Sequence, residues 1–129
     1  MSKIRMLLIV GLAALMLGAC SQMNVSNPFK PTPGEEKLTS GIKSYEDTEY
    51  KKASVDLQGA LQLGLKKSDQ VQAHKYLAFI QCVSGHEKQC REEFRKALEI
   101  DPGFELQAAE AGHPVWGKVF RSVKGTAAK

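Results

Sequence analysis

The chain has 129 residues, enough for one small domain. Lys and Arg number 18 against 14 Asp and Glu, a net charge of +4, and two of those positives, Lys3 and Arg5, sit in an N-terminal segment read below as removable. A near-neutral remainder without a basic patch interleaved with aromatics argues against a nucleic-acid surface, and the mixed-sign charge along the rest reads as a solvated face.

Residues 1–5 carry two positive charges, residues 6–17 form an apolar run, and Gly18 and Ala19 precede Cys20. A charged start, a short apolar core and small residues before a cut site describe a secretory signal, too short to be a comfortable transmembrane span. Leu17-Gly18-Ala19-Cys20 resembles the bacterial lipoprotein signal; an ordinary signal with an incidental Cys is the alternative. The resemblance implies that residues 1–19 are removed and that Cys20 carries a lipid anchor (palmitate among its acyl chains). Several acyl chains anchor stably, since each buried CH2 contributes about 0.8 kcal/mol. Ser21, not Asp, follows the Cys, which under the lipoprotein sorting rule implies the inner leaflet of the outer membrane, facing the periplasm. Residues 21–33, SQMNVSNPFKPTP, are polar and proline-rich, so residues 20–33 read as lipidated Cys and flexible tether. That tether reaches at most roughly 45 Å.

Residues 34–70 predict a first helical hairpin. Its first helix runs from about residue 35 to 46 with Leu38, Gly41, Ile42 and Tyr45 on one face. Its second runs from about residue 48 to 63, with Asp47 or Thr48 as N-cap. Ser68 or Asp69 is placed to cap a third helix opening at Gln70.

Residues 71–104, VQAHKYLAFIQCVSGHEKQCREEFRKALEIDPGF, predict a clearer hairpin. Val71, His74, Leu77, Ala78, Gln81 and Cys82 recur at helical spacing, as do Cys90, Phe94, Ala97 and Leu98. Gly85 suits the left-handed residue ending a helix, and Pro102 cannot continue one. Gly41, Tyr45, Tyr50, Ala53, Leu57 and Ala60-Leu61 lie 37 residues before Ala78, Cys82, Glu87, Cys90, Phe94 and Ala97-Leu98, so the chain repeats. The second unit is 34 residues long and resembles a tetratricopeptide repeat through Leu77-Ala78, Gly85, Phe94, Ala97-Leu98 and Asp101-Pro102, with Cys90 where that family usually has Ala. A generic helical hairpin is the plainer reading. The first unit has gained three residues, placed at 64–68, and lacks the closing proline.

Residues 105–129 form the tail. Phe104, Leu106 and Ala108-Ala109 suit one short helix; His113-Pro114 breaks it, and Pro114 starts a last helix over residues 114–123 with Val115, Trp116, Val119, Phe120 and Val123 as its apolar stripe. Two repeats cannot bury their end faces alone. Trp116 and Phe120 therefore either cap the second repeat or form a partner-binding patch. The fold expected is all-α: two tetratricopeptide-like hairpins plus a C-terminal capping helix.

Cys82 and Cys90 flank the turn at 84–87 symmetrically. In an oxidising compartment they form either a disulfide, worth on the order of 2 kcal/mol for so short a loop, or two small buried thiols. His86 and Cys90 share a helical face, but no third ligand accompanies them, so no metal site is expected. No nucleophile elbow, phosphate loop, zinc-protease helix or paired-carboxylate cleft is present, and nothing supports an enzyme, a cofactor or a small-molecule substrate.

The lipobox at 17–20, AHKYLAFIQCVSG at 73–85, CREEFRKALEIDP at 90–102 and FELQAAEAGHPVWGKVFRSV at 104–123 together resemble the TssQ family of type VI secretion-associated lipoproteins, with Lys118 where that family favours Pro. The resemblance implies an accessory, non-catalytic role beside a secretion apparatus, with a protein partner in the cell envelope. The competing assignment is an assembly lipoprotein for outer-membrane proteins or pili, such as a pilotin. A tetratricopeptide domain holds its partner in the surface lined by each repeat's first helix. Here that surface would carry Ile42, Tyr45, Lys75, Tyr76 and Phe79, with Tyr76 and Phe79 equally placed to be core.

Overall fold

The computed structural model describes residues 27–127. The expected signal, the lipidated Cys20 and most of the tether lie outside the described residues. Residues 27–30 belong to a separate unit and form a turn in which the Lys30 N–H donates to the Asn27 carbonyl at 3.0 Å.

Residues from Pro31 onward form a second unit, and its described part is all-helical. The helices are α1 (Pro33–Glu46), α2 (Tyr50–Leu63), α3 (Lys67–Val83), α4 (Glu87–Ile100), α5 (Ala108–Ala111) and α6 (Trp116–Ala127). α1–α2 and α3–α4 are hairpins with three-residue turns, α3 packs against the first hairpin, and α6 folds back onto α4 and α3. Among the described residues no helix is long and apolar enough to cross a membrane.

α1 begins at Pro33, two residues before the expected start, because Thr32 and Glu35 form a capping box. The Glu35 N–H donates to the Thr32 hydroxyl at 3.2 Å and the Thr32 N–H to the Glu35 carboxylate at 2.7 Å. The Thr32 N–H donates so well that it holds the Glu35 carboxyl below its ordinary range. The tether therefore gives its last residue to the helix.

α2 starts at Tyr50, with Glu49 rather than Asp47 or Thr48 before it and no side-chain cap. The backbone explains this. Thr48 takes φ +61°, and Gly85, 37 residues later in the second turn, takes φ +80°. The two hairpins thus turn on equivalent left-handed residues, and only the second uses glycine. A β-branched residue is strained there. Thr48→Gly should accordingly raise stability by about 1 kcal/mol, seen as a higher urea midpoint; an unchanged or lower midpoint would show the turn unstrained.

α3 opens at Lys67, not Gln70. It has 17 residues against 14 in α1. The three surplus residues of the first unit therefore become an extra helical turn at the head of α3, tied down by the Gln70 amide donating to the Leu65 carbonyl at 2.7 Å. The expected caps Ser68 and Asp69 lie inside that turn.

Two apolar clusters share α3 between them. Ala73, Leu77 and Ile80 join Leu38, Ala53, Leu57 and Ala60 of the first hairpin. Ala78, Phe79 and Cys82 join Cys90, Phe94 and Leu98 of α4 and Trp116, Val119, Phe120 and Val123 of α6. A helix buried on both sides carries eight buried residues and little of the one-faced patterning of α4. Gly41 is where α1 and α2 touch: a Cβ there would stand 2.8 Å from the Leu57 side chain. Gly41→Ala should therefore cost about 1–3 kcal/mol by overpacking, read as a drop in thermal midpoint; no drop would mean that Leu57 can move aside freely.

The solvent side of the first hairpin is closed by polar groups. Asp56 on α2 is 6% exposed, and its carboxylate accepts from the Lys37 ammonium at 2.9 Å and the Ser40 hydroxyl at 2.7 Å. Those bonds, Ser40 first and Lys37 next, hold the Asp56 carboxyl below its ordinary range. In the second hairpin His74 and Glu93 join α3 to α4 at 2.7 Å, and Lys96 donates to the same carboxylate at 2.9 Å. Burial pushes the Glu93 carboxyl up, but His74 and Lys96 together outweigh it, and the net direction is down. Both carboxyls release their protons more readily folded than unfolded. Their contribution is therefore fully present above the ordinary carboxylate range of about 4 and is lost as pH falls through the lowered folded values. The urea midpoint should fall as pH drops below the ordinary carboxylate range of about 4, less steeply in Glu93→Gln; parallel curves for wild type and variant would remove Glu93 from this account.

The tail departs from expectation in one register. α6 is assigned from Trp116, two residues after Pro114, and runs on past Val123 to Ala127. The Gly117 N–H already donates to the His113 carbonyl at 3.1 Å, and the Val115 N–H to His113 Nδ1 at 3.2 Å. Pro114 and Val115 are thus the turn leading into the helix.

Candidate interaction surface

The residues proposed from sequence fall into two groups. Phe79, Trp116 and Phe120 are 2%, 8% and 3% exposed, and Lys75 is 7% exposed. Lys75 is thereby corrected from surface to interior, and for Phe79, Trp116 and Phe120 the interior alternative is the one the fold adopts. Phe79 stacks on Trp116 with ring centroids 4.3 Å apart, and Phe94 meets Phe120 at 5.2 Å. The reason is the return of α6: its apolar stripe closes the open side of the second hairpin. Of the two readings of Trp116 and Phe120, the geometry is that of a cap.

Lys75 is buried with a partner supplied by the tail. Its ammonium lies 2.7 Å from the Glu110 carboxylate and above the rings of Tyr76, at 4.7 Å, and Phe79, at 5.7 Å. Glu110 also accepts the Gln107 N–H at 3.0 Å, and its backbone carbonyl accepts the Trp116 indole N–H at 2.9 Å. Glu110 thereby orients α5 and the entry to α6. His113 stacks on the other side of Trp116. Sequence reasoning assigned no role to Glu110. Glu110 stands three residues after Gln107, the spacing of a capping box, but Gln is not among the Ser, Thr, Asp and Asn residues that announce one in a sequence.

Ile42, Tyr45 and Tyr76 remain partly open. Tyr45 and Tyr76 meet edge to face at 5.1 Å, Tyr50 adds a third ring 5.7 Å from Tyr45, and Tyr76 continues to Phe79 at 5.8 Å. An aromatic series therefore runs from the first hairpin through Phe79 to Trp116. Its interior end is core and its outer end is a face of three tyrosines. Burial, then Tyr50, Tyr76 and the Glu110 charge, push the Tyr45 phenol up to about 12. Burial, Glu110 and Glu46 likewise raise the Tyr76 phenol. Both phenols are neutral at ordinary pH. Tyr50 was noted in sequence only as a repeat position; its side chain joins this face because α2 starts at Tyr50, immediately after the turn.

A groove of about 460 Å³ lies on another side of Lys75 and Glu110, lined also by Lys67, Gln72, Asp101 and Phe104. It contains none of the tyrosines. Among the described residues no three His, Cys, Asp or Glu side chains are grouped to hold a metal ion. His86 Nδ1 is engaged with the Gln81 side chain at 2.9 Å, and Cys90 is joined to Cys82 with Cα atoms 5.1 Å apart.

Fold and surface define a class: a short stack of two helical hairpins with a tyrosine face shared between them and a helix docked on the second. No family model, curated protein or solved structure matches the chain.

Proposed function

We propose that this chain is a non-catalytic protein-interaction module, held at the periplasmic face of the outer membrane by a lipid on Cys20 and serving as an accessory of a type VI secretion system. The observation that carries the interaction reading is the tyrosine face: Tyr45, Tyr50 and Tyr76 stand together, partly open, on the packed pair of hairpins. Tyrosine supplies large contact area at low entropic cost and is enriched where partners meet. The secretion assignment rests on the resemblance of the lipobox and of residues 73–123 to the TssQ family.

The test is made in intact cells. A photo-crosslinking amino acid at Tyr45 should join the chain to an envelope protein, expected to be a secretion-system component, while the same group at exposed Gln58 should not. Equal yields at both sites, or none at Tyr45, would refute the interaction reading. Cys20→Ser should move the protein out of the membrane fraction; unchanged fractionation would refute the anchor.

A further inference from the structure

We infer that the face formed by Tyr45, Tyr50 and Tyr76 receives a positively charged side chain, arginine or lysine, from a segment of the partner protein. The inference rests on the reading of this face as an interaction surface and adds the chemistry of what it takes.

First, the rings offer their faces and edges without being used up by the fold. Tyr45 and Tyr76 pack on both apolar clusters and Tyr50 on the first, yet all three stay partly open. Among the described residues no phenol hydroxyl of the three has a hydrogen-bond partner, and none is a buried unsatisfied group. Their donors and acceptors therefore face water or a partner.

Second, the face already accepts one cation. The Lys75 ammonium sits 4.7 Å from the Tyr76 centroid, within the range at which a ring quadrupole attracts positive charge. That internal cation does not repel a second one strongly, because Glu110 balances it at 2.7 Å.

Third, the field has the matching sign. Glu46 is exposed at the end of α1 and forms no ion pair among the described residues, unlike Asp47 beside it, which Lys43 holds at 2.9 Å. With Glu110 paired to Lys75, the charge left over is that of Glu46, which follows Tyr45 directly in the chain and also acts on the Tyr76 phenol. A carboxylate or phosphate arriving here would meet that negative field, whereas a guanidinium would stack on a ring and pair with Glu46.

The experiment titrates the full-length protein in detergent micelles with three fluorescein-labelled peptides of alternating leucine with arginine, glutamine or glutamate, followed by anisotropy. The arginine peptide should bind about tenfold more tightly than the glutamine peptide, and the glutamate peptide most weakly. Glu46→Gln, at an exposed site, and Tyr50→Ala, at the edge of the cluster, should each weaken arginine-peptide binding several-fold while the thermal midpoint stays close to wild type. The inference is overturned if the glutamine or glutamate peptide binds as tightly as the arginine peptide. It is equally overturned if neither variant changes binding, or if no peptide binds at millimolar concentration. A partner cross-linked through Tyr45 whose contacting segment carries no Arg or Lys would keep the interaction reading and overturn the cation alone.

Discussion

Phe79→Ala is expected to cost the fold about 3–5 kcal/mol, the largest loss of any single side chain considered in this protein. Phe79 is 2% exposed and touches four aromatic neighbours: Tyr45 at 6.2 Å, Tyr76 at 5.8 Å, Phe94 at 6.1 Å and Trp116 at 4.3 Å. Truncating a buried Phe costs about 3–5 kcal/mol, from lost transfer energy and the cavity left behind. A domain of this size has roughly 5–15 kcal/mol in all, so the loss is a large share of the total. The site also has little freedom to collapse, because Trp116 is held from the opposite side by its indole bond to the Glu110 carbonyl at 2.9 Å. Far-UV circular dichroism with urea titration checks this. Wild-type helicity with a midpoint close to wild type would return Phe79 to the surface.

Removing the Cys82–Cys90 bridge should lower stability by about 2 kcal/mol without altering the fold. The two residues are separated by 8 positions, so the bridge closes a short loop and its entropic contribution is at the low end. Both are buried, at 4% and 0%, Cys82 on the side of α3 that faces α4 and α6 and Cys90 on α4 opposite it. The Cys82→Ala/Cys90→Ala variant and wild type treated with reductant should show matching lowered urea midpoints and native helicity. Midpoints that do not move on reduction would show that packing alone holds the turn.

The helices were more legible in the sequence than the candidate surface, for identifiable reasons. Spacing found α4 well, because a helix buried on one face writes a clean period of Cys90, Phe94, Ala97 and Leu98. It could not divide α3, where Lys75, Tyr76, Phe79 and Ile80 all point toward protein but on different sides. Which side is covered depends on where α6 comes to rest, some 40 residues along the chain. Hence Phe79, open between groove and core in the sequence, became core, while Tyr50 read as a repeat marker and joined the partly open face. The missed start of α1 was different in kind: Thr32-Pro33-Gly34-Glu35 carried a capping signal in plain view.

By itself the sequence determined the helical class, the 37-residue recurrence, the left-handed turn at Gly85 and the pairing distance that lets Cys82 meet Cys90, since each depends on residues within a turn or a hairpin of one another. Only the tertiary structure decided that Trp116 and Phe120 close the stack, that Lys75 is spent on Glu110, and that Tyr45, Tyr50 and Tyr76 are left as its open face. Those outcomes are set by long-range burial. An apolar residue on a helix carries the same signal whether a later segment or a partner protein covers it.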